Sequence, residues 1–422
     1  MSDDERREHA AEEKQAETVE PRTGGDYAPS VAERLAFYQR AGGLVTPLMT
    51  AALAFLIGGV VVLASGSNPI STYQAIFNGT GLNWLFPWVS GATRATAAIN
   101  LQQTLLLTTP LILCGLAVAF AFRCGMFNIG GEGQYLVGSI MAVWIGSSFL
   151  KMNGPLHIVL AIVVAAVAGG IYAGIAGFLK ATVGAHEVIS TIMLNWIAYW
   201  VGSWLFQLGG PLQSHAQGAS VPVSNDIATN AHLHVFWGDP VLQGLHIGLF
   251  IALAGLVVYW LTLNRTTVGY QVRAVGFNPE AARYGGISVA RNYFRAMAIA
   301  GAFAGLAGAV DILGWEFRLD VNDIQASNIG FIAIAVALLG RNTAIGVFFS
   351  ALLFGALLNG TSTRNLDPTI FRPDLAGNLT LIIQGLVVLF VGADVLVLWI
   401  WNQRRKLRLR RASPTAGAVA AP

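Results

Sequence analysis

Residues 128–134 gather the polar chemistry of an otherwise apolar stretch. Glu132 follows Asn128 by four residues and precedes Gln134 by two, and Gly130, Gly131 and Gly133 interrupt the run. A carboxylate at the bilayer centre costs about 2.5–3.5 kcal/mol on insertion scales, so it faces a cavity or a partner. Glycine-rich backbone can unwind, and unwound backbone at membrane depth normally lines a water-filled path. Two roles are therefore open: Asn128, Glu132 and Gln134 border a solute path, or Glu132 pairs with a neighbouring helix or with Arg123. Asn195 and Trp196 form a second set in mid-span. An amide beside aromatic rings could stack a planar ring such as a nucleobase and bond its edge, while an Asn there also serves as polar glue between helices. Asn128-Ile129-Gly130 recurs as Asn328-Ile329-Gly330. The recurrence suggests an inverted repeat, at whose interface paths often lie, and adds Asn328 and Phe331 to the path candidates.

Nothing in the chain is arranged for bond chemistry. No G-x-x-x-x-G-K-[ST] occurs, nor any Gly-Lys pair, so there is no phosphate cradle of that type. No Ser-His-Asp, H-E-x-x-H or CxxC pattern appears, so no enzyme activity is expected of the chain. His215, His232, His234 and Asp239 lie in the segment 209–245, which has no Lys or Arg; a solvated external loop is expected, without metal. Cys114 and Cys124 are ten residues apart, a rotation of about 1000° on a helix. They point to different faces and read as small core residues.

Residues 265–291 carry a different signal. Asn278 is a good N-cap, Pro279 suits the first helical position, and Glu280 sits at the positive end. Arg283 falls in the last turn, and Gly285 or Gly286 can supply a left-handed stop. The result is a helix of about two turns, too short to be stable alone in water. It is either a capped loop or a docking element carrying the motion of a cytosolic partner into the membrane, with Arg273 and Tyr284 beside it.

These residues sit in a frame set by composition. Of 422 residues 55% are hydrophobic and 11% charged, with mean hydropathy +0.59, where soluble domains carry about 25% charged residues. Apolar runs at 44–64, 101–122, 126–149, 157–179, 187–208, 246–263, 292–313, 328–340, 344–359 and 377–400 give about ten crossings of an all-α membrane bundle. Gly301, Gly305 and Gly308 read as small-residue helix packing. Fifteen Lys and Arg fall on one side of these spans, Arg123, Lys180, Arg265 and Arg341 among them. The five on the other side are Arg94, Lys151, Arg318, Arg364 and Arg372. That bias places both termini in the cytosol. Three parts are expected: a polar tail at 1–43, a membrane domain at 44–402 and a basic tail at 403–422. The first forty residues hold sixteen of the forty-seven charged side chains, mixed in sign, as a disordered extension would. A net charge of +3 without a basic patch gives no support to nucleic-acid binding.

FRCGMFNIGGEGQYLVGS (122–139), TIMLNWIAYW (191–200), GYQVRAVGFNPEAARYGGIS (269–288) and NIGFIAIAVALLGRNTAIG (328–346) stand in that order. Together they resemble the hallmarks of permease subunits in bacterial nucleoside and simple-sugar ABC importers, relatives of branched-chain amino acid and ribose permeases. The resemblance covers roughly residues 44–400, and its FNIGGEGQ form is similar to the nucleoside branch. It implies a type II importer fold in the bacterial plasma membrane, with lipid around it and a small solute passing through. It further implies a second homologous permease, a cytosolic ATPase that binds ATP and Mg, an external substrate-binding lipoprotein, and no cofactor in this chain. On the resemblance, Arg273, Asn278, Pro279, Glu280, Arg283, Tyr284 and Gly285 belong to the ATPase-docking motif. Permeases for simple sugars or branched-chain amino acids, and an ion-coupled secondary transporter, are the alternatives.

Overall fold

The computed structural model describes residues 45–214, 221–239, 244–362 and 365, with scattered positions from 378 to 389. The tails at 1–43 and 403–422, and nearly all of the run expected at 377–400, lie outside the described residues. What is described is mostly helical, with two short paired strands and irregular connections between the elements. Six helices are long and apolar enough to cross a membrane, or up to seven if one bent pair counts as a span. The expected count of about ten is therefore not reached among the described residues.

The bent pair is α1 (Val45–Ala64) and α2 (Pro69–Thr80), which meet at 120°. Asn68 caps α2 by accepting from the Ile70 N–H at 2.9 Å, and Pro69 starts the new helix. Next come α3 (Gly91–Arg123), α4 (Gly131–Ser148), α5 (Gly154–Val183) and α6 (Glu187–Phe206). The strands β1 (Val235–Trp237) and β2 (Leu245–His246) pair antiparallel ahead of α7 (Gly248–Arg265). After α8 (Thr267–Phe277) and α9 (Pro279–Tyr284), α10 (Val289–Asp311) returns through the bundle and ends in a π-turn, Ile312–Glu316. The described bundle closes with α11 (Val321–Ala326), α12 (Ile329–Leu339) and α13 (Ala344–Gly360).

Helices α3 and α10 form the centre. Their apolar windows are 83% and 78% buried, against 28–33% for α5, α6 and α7. An apolar helix buried on every side needs close neighbours, and glycine supplies the approach. A Cβ on Gly301 would lie 2.2 Å from the Gly169 carbonyl oxygen, and one on Gly138 2.4 Å from Gly305. Gly308 likewise meets the Tyr135 carbonyl oxygen at 2.4 Å, so α10 rides backbone to backbone on α5 and α4, as the glycine spacing predicts. Cys114 and Cys124 are buried and unbonded to each other, also as expected.

The two ends of the bundle differ. At one, Arg123 Nε and Nη2 donate to the Asn342 carbonyl oxygen at 3.0 and 2.8 Å, and the Tyr259 hydroxyl donates to the same oxygen at 2.8 Å. At the far end of α3, about 44 Å away by helix rise, Arg94 stacks on Trp84. There the segment expected as a solvated loop is instead partly packed. Ile227, Ala231, Leu233 and Leu245 are buried. The Ile227 and Leu233 N–H groups donate to the Phe317 and Leu313 carbonyls at 2.9 and 2.8 Å. Apolar residues every few positions in 227–245 are the signal that a reading by charge alone passes over.

Candidate functional site

Helices α4 and α12 begin inside the bundle, and their N-termini meet. Gly131 stands against Gly330 and Val118, and Val118 is five residues, or about 7.5 Å of helix rise, from Arg123. The chain enters α4 from the Arg123 end and α12 from the opposite one, so the two Asn-Ile-Gly copies approach head to head. That is the relationship an inverted repeat would produce. A Cβ on Gly330 would fall 2.2 Å from the Glu132 backbone nitrogen, so only glycine permits the contact.

Glu132 is buried and its Oε2 accepts the Gly330 N–H at 2.7 Å. A carboxylate at the first turn of α4 faces exposed backbone donors and the positive end of the helix dipole, and the end of α12 adds a second such set. The pairing with a neighbouring helix holds, whereas the pairing with Arg123 does not: the guanidinium is turned to Asn342.

Around Glu132 the amides brace one another. Asn128 Nδ2 donates to Gln134 Oε1, and Gln134 Nε2 donates to Asn128 Oδ1, both at 2.9 Å. Asn128 Oδ1 also receives the Gly130 N–H at 3.1 Å. From α6, Asn195 Oδ1 takes the Gly133 N–H at 2.8 Å and its Nδ2 donates to the Ile129 carbonyl at 2.9 Å. Unwound backbone at 128–130 thus finds its partners in side chains, as it must away from water. Asn128, Glu132, Gln134 and Asn195 form one buried cluster. Trp196, Asn328 and Phe331 are not part of it: Trp196 and Phe331 are 54% and 45% exposed, and exposed Asn328 donates to its own Ala326 carbonyl at 2.9 Å.

Two polar groups near this cluster escaped the sequence reading. Ser327 stands one residue ahead of Asn328, without any motif to mark it. Asp311 accepts from the Tyr135 hydroxyl at 2.5 Å and from the Trp315 indole N–H, and is buried where α10 passes into the π-turn. A lone acid at the end of the apolar run 292–313 was its signal.

The surface at 265–291 holds two helices rather than one. Thr266 caps α8 through the Gly269 N–H at 3.1 Å, and Val272 and Val275 turn inward. Asn278 Oδ1 caps α9 by accepting from the Ala281 N–H at 3.0 Å, with Pro279 at the first position. The left-handed stop is Gly286, with φ of 77°; Gly285 is not left-handed. Ala282 alone of α9 is buried, whereas Phe277 is 88% and Tyr284 92% exposed. Glu280 and Arg283 pair loosely at 3.7 Å on the open face, and Arg273 Nε donates to the Gly269 carbonyl.

A multi-pass helical bundle with discontinuous helices meeting inside it is the architecture of a membrane permease. The chain matches, over residues 100–392, the family described as branched-chain amino acid transport system / permease component, and belongs to it. It is 36% identical to the guanosine ABC transporter permease protein NupP of Bacillus subtilis, covering 87% of this chain and 98% of the relative. The nucleoside ABC transporter permease protein NupB of Lactococcus lactis is 31% identical, over 89% and 98%. The glucose ABC transporter permease protein TsgB13 of Haloferax volcanii is 33% identical, over 82% and 86%. No solved structure matches the chain. The protein is accordingly a permease subunit and not an enzyme, and ABC permeases imply ATPase and substrate-binding partners.

Proposed function

We propose that this chain is one half of a permease pair that moves nucleosides inward through the bacterial plasma membrane. The observation that carries the solute class is similarity over 98% of the length of both the guanosine and the nucleoside permeases. The path runs past the joint of α4 and α12, where Asn128, Glu132, Gln134 and Asn195 set the backbone, and Trp196, Asn328 and Phe331 lie at its margins. Alternating access asks only that the solute bind two conformations differently, and a joint of two half-helices supplies a place for them to part.

The drive comes from a cytosolic ATPase holding ATP and Mg, docked on α8 and α9. Support comes from two large aromatic rings, Phe277 and Tyr284, exposed beside a capped, nearly unburied helix. That end carries Arg123, Arg265, Arg283 and Arg341, as a cytosolic face does, and both termini lie on the same side. A second homologous permease and an external substrate-binding lipoprotein complete the importer. The glucose permease among the relatives favours a second reading, a simple-sugar solute.

Purification of the tagged chain in mild detergent tests the assembly. A stoichiometric partner with a Walker A motif, and a second permease, are the expected companions. Uptake in competition with unlabelled adenosine, ribose and leucine tests the solute. Competition by leucine alone, or uptake that ignores ATP, would overturn the reading.

A further inference from the structure

The Glu132 carboxylate is satisfied on one side only. Oε2 holds the Gly330 N–H, but Oε1 is buried without a hydrogen-bond partner, and so is Ser327 Oγ. The Ser327 hydroxyl and the Phe331 N–H both lie beside the carboxylate, near enough to favour its charge, but neither reaches normal hydrogen-bond geometry to Oε1. A buried polar atom left unmade costs about 1–3 kcal/mol, and native structures hold few of them. The neighbouring amides offer no relief: Asn128 and Gln134 bond each other, and Asn195 bonds the backbone at both ends.

The chemistry of the missing partner follows from the two atoms. A carboxylate oxygen only accepts, and a serine hydroxyl both donates and accepts. Neighbouring hydroxyl groups on one ring match the pair, one donating to Oε1 while the other exchanges a hydrogen bond with Ser327. A phosphate does not match, because the carboxylate repels it in a medium of low dielectric. The half-exposed Phe331 ring, one turn on from Ser327, gives the apolar face of a sugar or base something to pack on.

Resting on the permease reading above, we infer that Glu132 Oε1 and Ser327 Oγ bind the vicinal hydroxyls of an uncharged, sugar-bearing solute at the joint of α4 and α12. The site then selects nucleosides over nucleotides and over deoxygenated analogues. Asn128, Gln134 and Asn195 are positioning residues that hold the joint and do not touch the solute.

The test is uptake by the complete importer in proteoliposomes, comparing adenosine with 2′,3′-dideoxyadenosine for the wild type, Ser327→Ala and Glu132→Gln. The same binding protein is present throughout, so its own selectivity divides out. The wild type is expected to prefer adenosine, and each variant to reduce that preference about three- to tenfold, the worth of one hydrogen bond. Ser327→Ala removes one oxygen and keeps the test alive if Glu132→Gln does not assemble. Adenosine uptake with no wild-type preference, or with a preference that both variants retain, overturns this inference alone. Where glucose is carried instead of adenosine, the same comparison is made with 2-deoxyglucose. Uptake of neither overturns the solute reading and this inference together.

Discussion

The Gly330 N–H donates to Glu132 Oε2 at 2.7 Å, joining positions 198 residues apart through the first turns of two helices that start within the bundle. The bond and the absence of a side chain at Gly330 are one feature, because a Cβ there would press on the Glu132 backbone at 2.2 Å. Gly131, on the other side of the joint, leaves 3.6 Å to its nearest neighbour, ordinary van der Waals contact.

Gly330→Ala therefore separates the helices, and Gly131→Ala does not. Overpacking costs about 1–3 kcal/mol, so the first variant should lose several degrees of thermal midpoint in detergent and most of its transport. The second should stay within about a degree or two. Equal behaviour of the two variants would mean that the joint tolerates a gap.

Asn195 and Trp196 are adjacent in sequence and opposite in role. Asn195→Ala leaves the Gly133 N–H and the Ile129 carbonyl unpaired in a buried place, a loss of about 1–3 kcal/mol for each group. Trp196→Ala removes an exposed ring that touches Tyr199 edge-on, and should leave the melting point nearly unchanged. Differential scanning fluorimetry of the two purified variants would show the contrast.

Legibility differed between the two kinds of signal. Continuous apolar runs placed α1, α5, α6, α7, α10, α12 and α13 within a few residues, since run length and hydropathy mark a helix in lipid. The caps at Asn278 and Pro279 were readable because capping is local. Helix α8 was passed over: Val268, Val272 and Val275 have helical spacing, but a connection rich in arginine invites a loop reading. The Asn128 and Asn328 repeats pointed to the joint, but the joint itself rests on contacts between segments 200 positions apart. Arg123 is held by the carbonyl of Asn342, a residue with left-handed φ of 54°, while Glu132 takes the Gly330 N–H. No spacing rule contains that turn.

The α9 surface makes a prediction that separates coupling from folding. Glu280 and Arg283 are exposed, and a surface pair of this kind contributes about 0–1 kcal/mol. Arg283→Glu and Glu280→Lys should therefore insert and melt like the wild type while ATP-driven uptake and co-purification with the ATPase fall at least tenfold. Tyr284→Ser should act in the same direction through lost apolar contact. Normal uptake in all three would remove α9 from the docking surface.

The end of the bundle that carries Arg94 should respond to acid through His246. This ring is buried between Gly314 and the start of α7, and burial lowers its pKa from 6.5 to about 4. Its Nδ1 accepts the Gly248 N–H at 3.1 Å, which a protonated ring cannot do. The folded state thus binds the proton less well than the unfolded chain does. Stability is fully present above about pH 6.5 and declines as the pH falls toward 4, at up to about 1.4 kcal/mol per unit from this one group. His232, stacked on Phe317, is shifted the same way by burial and adds to the trend. Protection of the amides at 221–239 and in the first turn of α7, taken relative to the intrinsic exchange rate at each pH, should fall between pH 7 and pH 5. His246→Asn, whose amide oxygen can still accept from Gly248 but does not titrate, should flatten that fall. An equal fall in the variant would assign the acid response to other groups at this end of the bundle.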